Sequence, residues 1–395
     1  MKKFGYLCVM MLLSLNMMAQ ITGDVNWNNF LIENFDEASS YWTWDTNNFS
    51  NKNHNWKAFH GSRIESDSLF HIYQFANVQY DSIEHTMNLI AVFDSTGKIQ
   101  DTNFYLPTNG SSYNNIYFDN KHYFSGAIEY VNNIWQAQTG KLSYGYFEIR
   151  CKLPTHSGAF PAFWLQSSSK DPADPYYEEI DIFEYSWWIT SPSGENPNPP
   201  GIGSKRCFTT GIYHNLTGQS ANHTDESFAR NYPDVPLTSN DLNDWHTFGC
   251  EWMPDHVYWF FDGQVVNSFN DPMHIPRHKM FLKTNYAIDS YAWNKSINEP
   301  IWEGSDEMVI DYIKVYQLKL DCNKSETITC QSDFDNFDYK LKKNISITSS
   351  VSETTVSSND TVVFRVTDSF EVTGPFQVNS GAKFTVIKNN CPNSD

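Results

Sequence analysis

The feature that most constrains the fold of this chain is a ten-residue run, YYEEIDIFEY at residues 176–185, which mixes isoleucine, aromatic and acidic residues. Such a composition is typical of a β-strand. Because side chains of a strand alternate between two faces, Glu179 and Asp181 share one face and the isoleucines point into the core. Glu184 is out of phase by one residue, and a β-bulge at Ile182-Phe183 would return it to the acidic face. The run predicts a bulged strand that carries three carboxylates in a row.

A solvated strand face that happens to be acidic is the plain alternative. Like charges along one strand repel, and a surface strand would normally intersperse basic residues. No Lys or Arg occurs between Lys170 and Lys205. Glycoside hydrolysis gives the acids a reason, because it needs one carboxylic acid to protonate the leaving oxygen and a second carboxylate across the anomeric carbon. Two close carboxylates also separate their proton affinities, so that one stays protonated and the other ionised.

The spacing E-I-D-I-F-E resembles the bulged signature of glycoside hydrolase family 16, which includes laminarinases, lichenases, agarases and κ-carrageenases. The resemblance implies that Glu179 is the nucleophile, Glu184 the general acid/base and Asp181 the assisting residue between them. Many members have Gly where this chain has Glu178, but alternation turns Glu178 away from the site. Short alternating runs separated by turn residues agree with the fold that the resemblance implies, a β-jelly-roll sandwich of two antiparallel sheets with a substrate cleft.

The resemblance also suggests substrate contacts outside the acidic strand. Trp164, in the segment before that strand, corresponds to a cleft-floor tryptophan of the family, with a plain core tryptophan as the alternative. Alternation after the bulge favours Trp188 as the second ring that faces the groove. Family members often carry a histidine near the site at the position of His214. These three residues are predicted to bind substrate.

No cofactor is expected for catalysis, and no His or Cys spacing typical of a metal site occurs. Many family members hold a structural calcium ion between their opening and closing strands. The matching residues are Glu33 and Asp311, although Asp311 is equally explained as an ordinary exposed strand residue.

Three segments are predicted along the chain. Residues 1–19 read as a signal peptide, with Lys2 and Lys3 before an apolar run that is too short to span a bilayer. Residues 20–319 form the family 16-like catalytic domain, and residues 320–395, where tryptophan disappears, form a small β-rich accessory domain. We therefore expect a secreted or cell-surface protein without a transmembrane segment.

Export places the cysteines in an oxidising compartment. Six of the seven remain after loss of Cys8 with the signal peptide, which allows 15 pairings. A Cys330–Cys391 disulfide is favoured because it would close the small C-terminal domain.

The net negative charge of the chain limits the classes of molecule that it can bind. The chain has 46 Asp and Glu against 27 Lys and Arg, so it repels polyanions and nucleic acid is excluded. We expect a monomeric, retaining endo-glycoside hydrolase of a β-linked polysaccharide, with β-1,3-glucan as the first substrate. A galactan of the agarose, porphyran or carrageenan type is the alternative substrate. A transglycosylase and a non-catalytic, lectin-like carbohydrate-binding protein are the alternative functions.

Overall fold

The computed structural model describes residues 27–35, 56–59, 61–64, 70–94, 122–131, 141–154, 156, 159–167, 176–187, 206–216, 226–231, 244–271, 274–288, 304–318, 322–335, 341–348 and 353–388. Nearly all of these residues are in strands or in the turns between them. In this part of the chain, no helix has the length and apolarity that a membrane crossing requires.

The first part of the chain contributes nineteen described strands. In chain order they are β1 (Trp27–Glu33), β2 (Trp56–Ala58), β3 (Gly61–Ile64), β4 (Phe70–Tyr73), β5 (Val78–Asp81), β6 (Thr86–Asp94), β7 (His122–Ser125), β8 (Ala127–Tyr130), β9 (Lys141–Leu142), β10 (Gly145–Lys152), β11 (Ala159–Ser167), β12 (Tyr176–Trp187), β13 (Arg206–Leu216), β14 (Glu226–Asn231), β15 (His246–Trp252), β16 (Val257–Phe261), β17 (Gln264–Phe269), β18 (Met280–Ile288) and β19 (Ser305–Leu318).

These strands form two sheets. The outer sheet has the order β17-β16-β15-β10-β19-β6-β7-β4-β3, with β1 also paired to β19 and β5 to β6. The cleft sheet has the order β14-β13-β12-β11-β18-β8-β2, with β9 paired to β18. Pairing is antiparallel throughout, except between β4 and β7. The predicted all-β jelly-roll sandwich is confirmed.

One apolar core fills the space between the two sheets. It is rich in aromatic residues, among them Trp252, Trp259 and Phe248 of the outer sheet, all fully buried. Phe183 of β12 meets Phe248 of β15 with ring centroids 4.3 Å apart. Ring packing therefore fixes the core-facing side of β12, while its other face lines a cleft.

A second, smaller core belongs to the C-terminal part of the chain. Its elements are β20 (Glu326–Ile328), α1 (Gln331–Asp335), β21 (Lys342–Ile347), β22 (Thr354–Val356), β23 (Thr361–Val372), β24 (Phe376–Val378) and β25 (Lys383–Lys388). β20, β21, β23 and β25 form one sheet, and β22 pairs with β24 in another. All of these pairings are parallel. A small β-unit was expected here, but its parallel pairing was not, because alternation within strands does not fix their relative direction.

The favoured Cys330–Cys391 pairing is wrong. Cys330 carries a free, half-buried thiol. Cys322, eight residues earlier, is disulfide-bonded, and Cys391 lies outside the described residues. Composition could not separate the two, because Cys322 and Cys330 lie only eight residues apart, on either side of β20.

Candidate active site

The candidate site is built on a β-bulge in β12. Asp181 and Glu184 pair with Gly211 and Thr209 of β13, so three steps on β12 match two on β13. The pairing with β11 shifts at the same point. Ile182 and Phe183 are both buried in the core between the sheets, although neighbouring residues of a regular strand would face opposite sides. The extra residue restores the phase, as predicted, and Glu184 returns to the face of Asp181.

Strand register puts each acid directly across from a β11 residue. Glu179 pairs with Gln166, Asp181 with Trp164 and Glu184 with Ala162. These β11 residues alternate with Phe163 and Leu165, which are fully buried in the core. The six paired residues therefore share the face of the cleft sheet that is turned away from the core.

A cleft with a volume of about 480 Å³ opens over this face. Glu179, Asp181 and Glu184 all line it. Asp181 is only 2% exposed, whereas Glu179 and Glu184 are both partly exposed. The Trp259 indole N–H donates a 2.8 Å hydrogen bond to the backbone carbonyl of Asp181, which ties the centre of the acidic row to the core. The three carboxylates thus face one cavity from a rigid backing.

The remainder of the lining mixes rings with polar groups. It consists of Phe59, Tyr73, Ala127, Phe160, Ala162, Trp164, Gln166, Lys283, Thr284 and Asn285. Rings supply stacking surfaces and the polar groups supply hydrogen bonds, which is the usual mixture in ligand sites. The cleft therefore suits a neutral, hydroxyl-rich ligand such as an oligosaccharide.

Trp164 lines the cleft, and its contact with a sugar stays a prediction. Its indole N–H donates a 2.8 Å hydrogen bond to Asn285 Oδ1 on β18, which fixes the ring orientation. The Lys283 ammonium lies 4.8 Å from the centroid of the same ring. One side of the ring is therefore already in contact with a cation, which the sequence-based prediction of a bare sugar platform did not include.

Lys283 is the site residue that sequence reasoning missed. It lies on β18, directly across from Trp164 on one side and Glu129 of β8 on the other. Burial lowers the pKa of its ammonium, and the nearby charges of Glu129 and Glu179 oppose that shift. The signal in the sequence is a single lysine inside the otherwise uncharged strand Met280–Ile288.

Glu178 points the other way, as alternation predicted. One oxygen of its buried carboxylate accepts hydrogen bonds from the backbone N–H groups of Arg277 and His278, at 2.9 and 2.8 Å. The same oxygen lies 2.7 Å from Nδ1 of His278. Glu178 thus anchors the loop before β18 and takes no part in the cleft, so its replacement of the family's glycine leaves the acidic row intact.

Two residues that were predicted to bind substrate, Trp188 and His214, are not placed in the cleft by the described side chains. Trp188 lies outside the described residues. His214 lies in β13, where its backbone pairs with Glu178, one register step from Tyr213, the partner of Glu179. Their contacts with substrate stay predictions.

The two predicted calcium ligands have separate partners. The carboxylate of Glu33 accepts hydrogen bonds from the Phe35 backbone N–H at 3.2 Å and from the Trp56 indole N–H at 3.3 Å. Asp311 forms an ion pair with Arg150. Donors of the protein itself thus already contact both carboxylates. Within the described ranges, no three His, Cys, Asp or Glu side chains come close enough together to hold a metal ion. Calcium at these residues stays a prediction that rests on the resemblance alone.

Comparison with known proteins adds a family to this geometry. The sequence profile of glycosyl hydrolases family 16 matches residues 36–314, which include the acidic strand and both sheets except β1 and the end of β19. The endo-1,3-1,4-beta-glycanase ExsH of Rhizobium meliloti is 29% identical over 182 residues, or 45% of this chain and 31% of ExsH. The kappa-carrageenase of Pseudoalteromonas carrageenovora is 25% identical over 209 residues, or 49% of each chain. The matched stretch thus spans 31% to 49% of the length of these relatives.

Among solved structures, the catalytic domain of an endo-1,3-beta-glucanase (laminarinase) from Thermotoga petrophila RKU-1 is similar with a TM-score of 0.46 at 20% sequence identity. The alignment covers 75% of this chain and 99% of that domain.

Proposed function

Since this chain belongs to glycosyl hydrolases family 16, we propose that it is a retaining endo-glycanase that cleaves a β-linked polysaccharide in the cleft of the second sheet. One observation carries the proposal: the bulge at Ile182-Phe183 turns Glu179, Asp181 and Glu184 toward a single cavity. Three acids on one strand face are costly in a protein that only binds sugar, because like charges repel. Hydrolysis uses them as nucleophile, assistant and acid.

In the first step, a carboxylate oxygen of Glu179 attacks the anomeric carbon. The bond from that carbon to the glycosidic oxygen breaks, and the departing oxygen takes the proton of the Glu184 carboxylic acid. The product is a glycosyl ester of Glu179 together with a released sugar chain. Glu179 must therefore begin the cycle ionised and Glu184 must begin it protonated.

In the second step, the Glu184 carboxylate removes a proton from water as the water oxygen bonds to the anomeric carbon. The ester bond to Glu179 breaks, both acids return to their starting states, and the configuration is retained after two inversions. Asp181, nearly buried between the two, assists by hydrogen bonding within the row. These roles agree with the exposure of each acid: Glu179 and Glu184 are partly exposed and can reach substrate, and the buried Asp181 supports them.

The proposed substrate is a neutral β-glucan with β-1,3 linkages. Two facts support it: relatives such as ExsH bear the name of a β-1,3-1,4-glycanase, and the acidic chain disfavours a heavily sulfated polymer. A galactan is the second candidate, because the kappa-carrageenase is also a relative. We further propose that residues 1–19 direct export, since a polysaccharide too large to enter the cell must be cleaved outside it.

Incubation with laminarin, mixed-linkage β-glucan, agarose, porphyran and κ-carrageenan, followed by sizing of the products, tests these proposals. We expect a ladder of oligosaccharides from a β-glucan, with the β-anomer formed first in an NMR time course. If a labelled short acceptor is added, a transglycosylase would instead give labelled products longer than that acceptor. Binding to one of the polymers without any release of sugar would identify a lectin and contradict the proposed hydrolase.

A further inference from the structure

Lys283 is held at the cleft floor by four neighbours. Its ammonium lies 3.4 Å from Oε2 of Glu129 and donates a hydrogen bond to Oε1 of Gln166. It also lies 4.8 Å from the ring centroid of Trp164 and 5.6 Å from that of Phe59. The side chain is only 12% exposed. Two rings, one acid and one amide thus fix a charged group that a flexible lysine would otherwise keep in water.

The register explains why this ammonium matters to the acids. One row across the cleft sheet runs from Asp181 through Trp164, Lys283 and Glu129 to Lys57 of β2. Gln166, which accepts the hydrogen bond of Lys283, is the direct strand partner of Glu179. Lys283 therefore contacts the β11 residues across from two of the three acids.

Lys283 partly offsets the negative charge of the cleft. Among the described residues that line the cleft, Lys283 is the one cation, against three carboxylates. Neighbouring carboxylates raise each other's pKa, which would favour protonation of the nucleophile. The proposed first step fails when Glu179 carries a proton.

We propose that Lys283 is a positioning residue of the catalytic centre, whose fixed ammonium holds Glu179 in the ionised, nucleophilic form. The proposal rests on the function proposed above, because it assigns the group that Lys283 serves.

The electrostatics agree with this geometry. Burial lowers the pKa of Lys283, while the charges of Glu129 and then Glu179 act in the opposite direction. Interaction between two charges is reciprocal, so the same attraction favours the ionised form of Glu179. The groups that face Lys283 are Glu129 from β8, Gln166 and Trp164 from β11, Glu179 from β12 and Phe59 after β2. Asp181 and Glu184 are the further charges on the cleft face around Glu179.

Opposite substitutions on the Lys283–Glu129 pair give the test. In a retaining glycosidase, the acid limb of kcat/KM against pH reports ionisation of the nucleophile. Lys283→Met keeps the contact with the rings but removes the charge, so the acid limb should move to higher pH by about one unit. Lys283→Arg keeps the charge and should keep the limb. Glu129→Gln removes the anion that offsets Lys283, so the limb should move to lower pH.

Lys152 offers a matched control. Lys152 lies on β10 of the outer sheet, away from the cleft, and its ammonium is 4.7 Å from the ring centroid of Trp245. Lys152→Met thus removes one lysine–tryptophan contact and one charge of the same sign. An equal shift in this control, no shift in Lys283→Met, or shifts of the same sign in Lys283→Met and Glu129→Gln would overturn the proposal.

A second readout does not depend on activity. The carboxyl carbon of Glu179 can be followed by ¹³C NMR in glutamate-labelled protein and assigned by its loss in Glu179→Gln. Its titration midpoint should rise in folded Lys283→Met and stay in Lys283→Arg. If the chain cleaves no polysaccharide but this midpoint rises, the proposed function fails and the role of Lys283 stands; an unchanged midpoint overturns the role of Lys283, whatever the activity.

Discussion

Asp181 and Glu184 are three residues apart on β12, but their strand partners on β13 are only two residues apart. This single extra residue decides which acids face the cleft. If the same residues formed a regular strand without the bulge, period-two alternation would turn Glu184 into the core beside Ile182, where an unpaired carboxylate would be strongly destabilising.

Deletion of Ile182 should preserve part of the activity, because it converts the bulge into a regular strand in which all three acids still share one face. Deletion of Ile180 removes an equally buried isoleucine but puts Glu179 and Asp181 on opposite faces. We expect turnover in the first variant and none above background in the second. Circular dichroism checks the fold of each, and equal loss of activity in two folded variants would mean that the bulge does not set the phase.

Glu179→Gln and Glu178→Gln separate two neighbouring acids. An amide is not nucleophilic, so Glu179→Gln should lose about 10⁴-fold or more in kcat while it keeps the wild-type melting temperature. Glu178→Gln removes the charge beside His278 behind the sheet. It should lose roughly 1–2 kcal/mol of stability but little activity at low temperature. The reverse pattern, in rate assays and thermal melts, would transfer the catalytic role to Glu178.

Glu184→Gln should lose activity on polysaccharide and retain it on aryl glycosides with good leaving groups, because such groups depart without protonation. Azide should then accelerate turnover and give a β-glycosyl azide, since the variant lacks a base to activate water. Mass spectrometry and NMR of the product identify that compound. Failure to form it, in a variant that still reacts with the aryl glycoside, would remove Glu184 as the acid/base.

His256 makes the stability of the outer sheet depend on pH. Burial alone would lower its pKa, but hydrogen bonds and charges from Asp255 and Glu251 outweigh burial and raise the pKa to about 9. A raised pKa means that the stabilisation is complete below the ordinary value near 6.5 and is lost as pH rises through about 9. The interaction contributes roughly 2 kcal/mol at neutral pH.

Between pH 7 and pH 9.5 the melting temperature of the wild type should therefore fall by roughly 5 °C more than that of His256→Gln. His85→Gln, at the exposed turn between β5 and β6, is the control and should follow the wild type. Parallel curves for the wild type and His256→Gln would show that His256 is not charged in the folded protein.

The bulge could be predicted because three acids and two isoleucines on one short strand obey a local rule. Lys283 could not, because its partners Glu129 and Trp164 are distant in sequence and meet it only through the register of three strands. The parallel direction of the C-terminal strands could not be predicted for the same reason. Alternation shows which faces are buried, whereas the pairing between strands is decided by the whole fold. Cys330 illustrates the limit of composition, since a cysteine near the right place was not the bonded one.

Chemical trapping of the covalent intermediate tests the central claim most directly. A 2-deoxy-2-fluoro β-glucan oligosaccharide with an activated leaving group forms the glycosyl-enzyme but slows its hydrolysis. Mass spectrometry of proteolytic fragments should then find one sugar chain esterified to Glu179, with none on Glu178, Asp181 or Glu184. A label on any other residue, or turnover of the matching polysaccharide with no label at all, would contradict the account.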